Sequence, residues 1–419
     1  LLHQDAATLL MVWRFLVRRL RSISLFFVVN ILFSLAANFV HPVTPTFFKE
    51  LGFADYLFGY ALAAMMTFNF LLSPFWGKLN GIISCRISLL ISCWGYAAGQ
   101  VVFALATTEA HILLARSIAG VFAGGCFVAS LNYILNTAPD EGSRGVRLAA
   151  FATIQSVGGA FGYFIGGLLG AVVVKYAFVA QISTLVVCGL LFLVVCENDV
   201  KEVSGKLQTS QLIKEINPFK AFTDSRKFMS LSLALVFAVC TLHSLGQVAF
   251  DQSFNYYLKD QFNFSSAYNG ALKAAMGIIT LIANSTVCVY LLHRTDVRRS
   301  NILLLGVCSF TMLIIIFLEA ITPFLIINVL FYAFAAIGIP LLQYIVADHQ
   351  GPGDSNLMMG FYNAMRSFGG IIGATASGAL YMLSPKYPFV CSAIAFLLAM
   401  ILAVAYYRVY SLHDVHDKL

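Results

Sequence analysis

Charge is what this chain has least of: 11% of its 419 residues are Asp, Glu, Lys or Arg, less than half the roughly 25% of a soluble domain. With 60% hydrophobic residues and a mean hydropathy of +0.84, water is excluded as its main solvent. No CxxC pair, no HExxH and no Walker A phosphate loop occurs. Thiol exchange, zinc hydrolysis and ATP-driven pumping thereby lose their usual machinery. The nine cysteines are odd in number. Cys93, Cys126, Cys188, Cys240, Cys288, Cys308 and Cys391 fall inside apolar runs, while Cys85 and Cys196 sit at their ends. They read as small buried apolar residues, with no disulfide framework and no metal site expected. Embedded acid is scarcer still. Only Asp251 lies well inside an apolar run, and aspartyl intramembrane proteolysis requires two such carboxylates.

What the chain does have is apolar length. Runs near the ~20 residues that cross hydrocarbon cover about 22–48, 57–76, 87–106, 111–133, 148–173 and 177–196. After a polar stretch they resume at about 228–257, 268–292, 300–318, 323–345, 358–382 and 387–407. An even number of spans puts both termini on one side. The loops on that side hold most of the Lys and Arg, including Arg18, Arg19, Lys78, Arg144, Lys214 and Arg298. The other side holds only Lys49, Lys175, Lys259 and Lys386. Both termini and the central linker are therefore predicted to be cytoplasmic. The net charge of +7 is spread over these loops and points to no nucleic acid.

The two sets of spans repeat one another. GGAFGYFIGG at 158–167 returns as GGIIGATASG at 369–378, and Ala63-Ala64-Met65 as Ala274-Ala275-Met276. The fold class that follows is an all-α membrane protein of twelve transmembrane helices in two pseudo-symmetric six-helix bundles. Its divisions are a basic amino-terminal segment (1–21), a first bundle (22–196), a polar linker (197–227), a second bundle (228–407) and a tail (408–419). Residues 1–10 precede a basic segment from Met11 that makes the more natural beginning, and no cleavable signal peptide is evident. Within the linker, QLIKEINPFKAF reads either as an amphipathic helix on the inner leaflet or as a plain connector.

An ionised side chain inside hydrocarbon is costly enough to suggest function. Four qualify: Asp251 in the seventh span, Arg116 in the fourth, Lys273 in the eighth and Arg366 in the eleventh. Ser244, Gln247, Asp251 and Asn255 follow a helical spacing that makes one wet stripe. Asn30, Ser34, Asn38 and His41 do the same in the first span, and an offset of 210 makes His41 the repeat mate of Asp251. Asp251, Arg116, His41 and Lys273 are the candidate proton-coupling residues. Asn30, Ser34, Asn38, Gln247, Phe254, Asn255 and Arg366 are candidates for a substrate cavity, alongside aromatics and methionines such as Met66. Gly158, Gly162, Gly166, Gly167, Gly369, Gly373 and Gly378 form the small-residue faces where helices approach closely.

These residues carry a resemblance. LLARSIAGVFAGG, from Leu113 to Gly125, resembles the fourth-helix motif of the major facilitator superfamily at Arg116 and Gly120. Gly158, Gly162, Gly166 and Gly167 resemble the fifth-helix motif of its drug:proton antiporters, with Tyr163 where that motif has proline. GKLNGIISCR resembles the loop after the second helix at Gly77, Leu79 and Arg86, but Gly81 stands in place of an aspartate. HPVTPTFFKELG and FDQSFNYYLKD look like segments of bacterial quinolone and tetracycline efflux pumps. The resemblance implies proton-driven export of small amphipathic compounds, cationic or zwitterionic, by alternating access in a bacterial plasma membrane. Asp251 then matches an acidic coupling position, whereas a second acid that some such pumps carry in the tenth helix has no counterpart near Ile339 and Pro340. The partners implied are a small-molecule substrate, protons and the lipid bilayer. The protein is expected to act as a monomer and to need no cofactor beyond the proton gradient. Competing readings are a proton-coupled importer of a sugar or peptide, a polytopic membrane enzyme and a non-transporting scaffold.

Overall fold

The computed structural model describes residues 22–53, 57–199, 222–227, 229–262, 266–349 and 355–416. Most of the linker, including all of QLIKEINPFKAF but its last residue, Phe222, lies outside the described residues, as does the basic amino-terminal segment. In hydrocarbon every backbone N–H and C=O needs a partner within the chain, and the helix supplies one locally. The described residues are accordingly almost all helical. The first half contains α1 (Ser22–Ala36), α2 (Thr44–Glu50), α3 (Leu57–Leu79), α4 (Cys85–Ala104), α5 (Glu109–Thr137), α6 (Glu141–Val172) and α7 (Val174–Val195). The second contains α8 (Leu231–Phe262), α9 (Ser266–Ala283), α10 (Val289–Arg294), α11 (Val297–Ile316), α12 (Ile321–Asp348), α13 (Ser355–Leu383) and α14 (Tyr387–His416). A π-turn at Asn284–Cys288 joins α9 to α10 into one span. Nine of the described helical segments are long and apolar enough to cross a membrane, and α1, α3 and α13 occupy the remaining three expected spans. The fold is that of twelve crossings.

Polar side chains mark where helices begin. Thr108 accepts from His111 N, Asp140 from Ser143 N, and Asp296 from Arg298 N and Arg299 N, each satisfying amide donors that a helix start leaves free. The bonds from Ser143 hold the Asp140 carboxyl below its usual range. α4 borrows its cap from afar: Asp199 accepts from Cys85 N at 2.8 Å and from Ser84 Oγ at 2.9 Å.

The first span departs from its expected form. It is helical only to Ala36, and Ala37–Val43 turn before α2 begins. Pro42 explains the break, because its ring would clash with the carbonyl four residues back and it has no N–H to give. His41 therefore sits in a turn, off the stripe of Asn30 and Ser34.

Each glycine ladder packs on the helix that the repeat assigns to it. A Cβ at Gly158 would stand 2.6 Å from Ser34 Cβ, and Cβ atoms at Gly162 and Gly166 would overlap the carbonyl oxygens of Leu35 and Phe39. In the second half, a Cβ at Gly369 would overlap the Thr241 carbonyl, and one at Gly373 would lie 2.5 Å from that of Leu245. Leu35 and Leu245 stand 210 apart, Gly162 and Gly373 211 apart, so the two contacts are images of one another. Gly167 and Gly378 do not belong to the tight faces: Gly167 would meet only Pro42 Cβ at 3.9 Å, and Gly378 meets nothing within 4 Å. One residue further along a helix rotates a side chain by about 100°, and the third step of the second ladder is instead Ser377. Its hydroxyl lies 3.1 Å from that of Ser253.

Between the halves, α3 crosses α13 back to back. A Cβ on Gly77 or Gly360 would stand 3.0 Å from the other's Cα. Gly77 and Leu79 are thus the last residues of a helix rather than loop residues, and Arg86 lies in the first turn of α4. Only Asn80–Ser84 remain as the connection. The α3 helix runs on through Gly77 because the missing side chain lets α13 approach. Around the crossing, Asn363 Nδ2 donates to Asn69 Oδ1 (2.7 Å) and Ser73 Oγ (2.8 Å), Asn356 Nδ2 to Asn80 O (3.1 Å) and Asn132 Nδ2 to Asn356 O (3.3 Å). Lys78 Nζ pairs with Asp224 at 2.6 Å. These contacts close the end of the bundle from which the linker leaves.

Candidate substrate cavity and coupling site

At the other end of the same interface lies a cavity of about 230 Å³. His41, Thr44, Ala61, Leu62, Met66 and Arg116 line it from the first half, and Val248, Asp251 and Gln252 from α8. The turn after α1 presents His41 and Thr44. α5 presents Arg116 one turn before Gly120, where an added Cβ would overlap the Met65 carbonyl, so this glycine draws α5 against α3 and sets the depth of Arg116.

Asp251 sits between α8 and α9. Lys273 Nζ donates to its Oδ1 at 3.3 Å, and Gln247 Nε2, one turn back on α8, donates to its Oδ2 at 3.3 Å. Lys273 also lies 5.8 Å above the Tyr332 ring. Arg116, 5% exposed, has neutral neighbours instead. Nη2 donates to Thr44 Oγ1 at 3.3 Å, Nη1 approaches Met65 Sδ at 4.0 Å, and the guanidinium lies 4.2 Å from the Phe103 ring centre. Its Nε is buried without a partner. Three of the four candidate coupling residues, His41, Arg116 and Asp251, thus meet at one cavity, and the fourth, Lys273, is bonded to its acid.

The candidate cavity residues mostly face elsewhere. Asn30 is fully buried, donating to Phe26 O at 2.9 Å and accepting from Ser130 Oγ at 3.3 Å. Ser34 packs on Gly158, and Asn38 turns back to the Ser34 carbonyl at 2.9 Å. Their stripe seats α1 on α5 and α6 rather than facing the cavity. Phe254 is core, stacked 5.3 Å from Phe250 and 6.2 Å from Phe324. Gln247 reaches the site through Asp251, and the side chain of Asn255 lies outside the described residues. Arg366 lines a separate, narrower crevice with Cys240, His243, Ile339, Leu342 and Tyr362. Thr44 and Gln252 escaped the sequence reading. A threonine beside prolines carries no charge signal, and its service to Arg116 comes from a turn that helical spacing does not describe.

The Major Facilitator Superfamily model matches residues 26–333 and 298–417. The chain belongs to the Major Facilitator Superfamily. It is a multi-pass membrane transporter of the secondary class and not an enzyme. Among its superfamily relatives, Multidrug resistance protein 2 of Bacillus subtilis (strain 168) is 21% identical over 361 residues, 85% of this chain and 87% of that protein. Quinolone resistance protein NorA of Staphylococcus aureus (strain MSSA476) is 24% identical over 243 residues, 58% of this chain and 59% of NorA. The crystal structure of the human organic anion transporter MFSD10 (TETRAN) superposes with a TM-score of 0.76 at 18% identity, covering 92% of this chain and 99% of that one. That likeness is one of superfamily fold.

Proposed function

We propose that this protein exports small amphipathic molecules in exchange for protons by alternating access. The observation that carries the reading is the Asp251–Lys273 pair at the wall of a cavity between the two halves. While the cavity is open and wet, solvent and Lys273 stabilise the ionised carboxylate. When the halves close around it, taking up a proton costs less than burying the charge. Proton binding releases Lys273 from its pair, so the cavity's charge and its shape change together. The names of the resistance proteins above support export. The dispersed positive loops support a plasma-membrane orientation with cytoplasmic termini, and the closed linker end then makes this conformer outward-open.

The deciding experiment is pH-gradient-driven accumulation in vesicles. Purified Asp251→Asn protein is expected to fold and bind substrate yet to lose accumulation driven by a pH gradient. Accumulation against the gradient at the wild-type rate would make Asp251 structural and end the proton-exchange reading.

A further inference from the structure

The interior holds more positive than negative charge. Among the described membrane-embedded residues, Asp251 faces three cations, of which Lys273 is its partner. Arg116 and Arg366 have no carboxylate within salt-bridge distance among the described residues. Arg116 has its threonine, sulfur and ring. The surroundings of Arg366 are stranger. Its guanidinium carbon lies 5.0 Å from the Phe127 ring centre on α5 and 5.7 Å from that of Tyr362 on its own helix. Aromatic faces attract a cation but accept few of the five hydrogen bonds that a guanidinium offers. In the same crevice His243, 5% exposed, holds an Nε2 atom with no hydrogen-bond partner.

Position adds to the argument. Gly370, one helical turn beyond Arg366 on α13, packs against Met66 of the cavity wall, where an added Cβ would lie 3.1 Å from its sulfur. Arg366 therefore stands about one turn, or ~6 Å at 1.5 Å per residue, beneath the cavity floor. Phe127 belongs to the first half and Arg366 to the second, so a group that enters this crevice, too narrow for a water molecule in this conformer, has to part its walls and touches both halves. A planar guanidinium that meets aromatic rings and no carboxylate in a low-dielectric slot is matched in shape and charge by a planar oxyanion. We propose that Arg366 is the capture point for an oxyanion on the substrate, so the compounds this transporter takes carry a carboxylate or a group of like charge. This rests on the transport reading above. Within that reading's small amphipathic molecules it selects those that carry a negative group.

The test is binding rather than flux, so its failure is separable from a failure of proton exchange. The full chain in phosphatidylcholine nanodiscs is titrated with 2-naphthoate and with 2-naphthamide, which share a ring system and differ in charge. Wild type is expected to bind naphthoate at least about tenfold more tightly, a difference of roughly 1.4 kcal/mol. Arg366→Gln should bring the ratio close to one while naphthamide affinity stays in place. Arg366→Lys, which keeps the charge and loses the planar fork, should fall between, and it carries the test if the Gln variant does not fold. Equal binding of the two probes by wild type, no binding of naphthoate, or a preference that survives Arg366→Gln and disappears in Arg116→Gln would overturn the proposal.

Discussion

At the residue scale, cost was the legible signal. An embedded charge has to be explained, and Arg116, Asp251, Lys273 and Arg366 all proved to line a cavity or crevice or to bond a residue that does. Two of the four embedded charges, Asp251 and Lys273, bond each other. Neutral polar residues were not legible in the same way, because an asparagine in hydrocarbon is satisfied as readily by a backbone carbonyl on its own helix as by a ligand. Asn30 and Asn38 both do this, bonding the carbonyl four residues earlier. For Arg116 the geometry gives a graded expectation. Arg116→Ala should abolish proton-driven transport, and Arg116→Lys should weaken it, since an ammonium keeps the charge but loses the fork that reaches both Thr44 and Met65. Flux in vesicles at fixed protein content measures both, and undiminished transport by Arg116→Ala would show that the guanidinium serves packing alone. A control lies beside it: removing one partner from a buried ion pair costs about 3–5 kcal/mol when the other charge is left stranded, and less where solvent reaches the pair, as it does here. Lys273→Ala should therefore lower thermal stability more than Lys273→Ala combined with Asp251→Asn, and equal losses would show that the pair is not coupled.

At the element scale, the spans were readable from hydropathy because hydrocarbon leaves the backbone no alternative to the helix. Two features were not. The break at Ala37–Val43 was hidden inside an unbroken apolar run, with Pro42 its only mark. The partner of each glycine face was hidden as well, because a stripe of small residues does not say which helix will use it. The ladders of α6 and α13 hold α1 and α8, and both members of each contact lie in the same half of the sequence. The halves meet instead where Gly77 crosses Gly360 and where Gly277 of α9 lies against Ala160 of α6. These placements separate two outcomes. Gly162→Leu forces a side chain into the Leu35 backbone, where even modest overpacking costs about 1–3 kcal/mol, and should lower the yield and melting temperature of the purified protein. Asn363→Leu removes two hydrogen bonds across the halves at the linker end. It should leave stability nearer wild type and expose the linker end to thiol labelling at Asn80→Cys, a buried position whose part in the cluster is its backbone carbonyl. Normal stability of Gly162→Leu would mean that α1 and α6 are less tightly held than their backbones indicate. Unchanged labelling on the Asn363→Leu background would mean that the amide cluster does not keep that end shut.

At the scale of the whole molecule, two halves that bury glycine faces in the same way, 210 or 211 residues apart, meet at two close glycine crossings, Gly77 against Gly360 and Gly277 of α9 against Ala160 of α6, with a cavity between them. The repeat was visible in the sequence, but the state of the molecule was not. Which end is shut depends on contacts such as Asn356 to Asn80, made between residues 276 apart in sequence, which no local pattern announces. Orientation is the remaining global property, and the loop charges predict it. Lys and Arg resist transfer across the membrane during insertion, so the crowded side stays in the cytoplasm. Eight of the nine native cysteines are buried and Cys391 is partly so, which keeps background labelling low. Single cysteines can therefore report each face. Glu319, exposed in the connection between α11 and α12, and Arg294, exposed at the end of α10, lie at opposite ends of α11. With a membrane-impermeant maleimide, Glu319→Cys is expected to label in intact cells, and Arg294→Cys only after permeabilisation. The reverse pattern would invert the protein, turning the present conformer from outward-open to inward-open and the proposed export into uptake. Labelling of both positions in intact cells would contradict a crossing by α11 and with it the twelve-span arrangement.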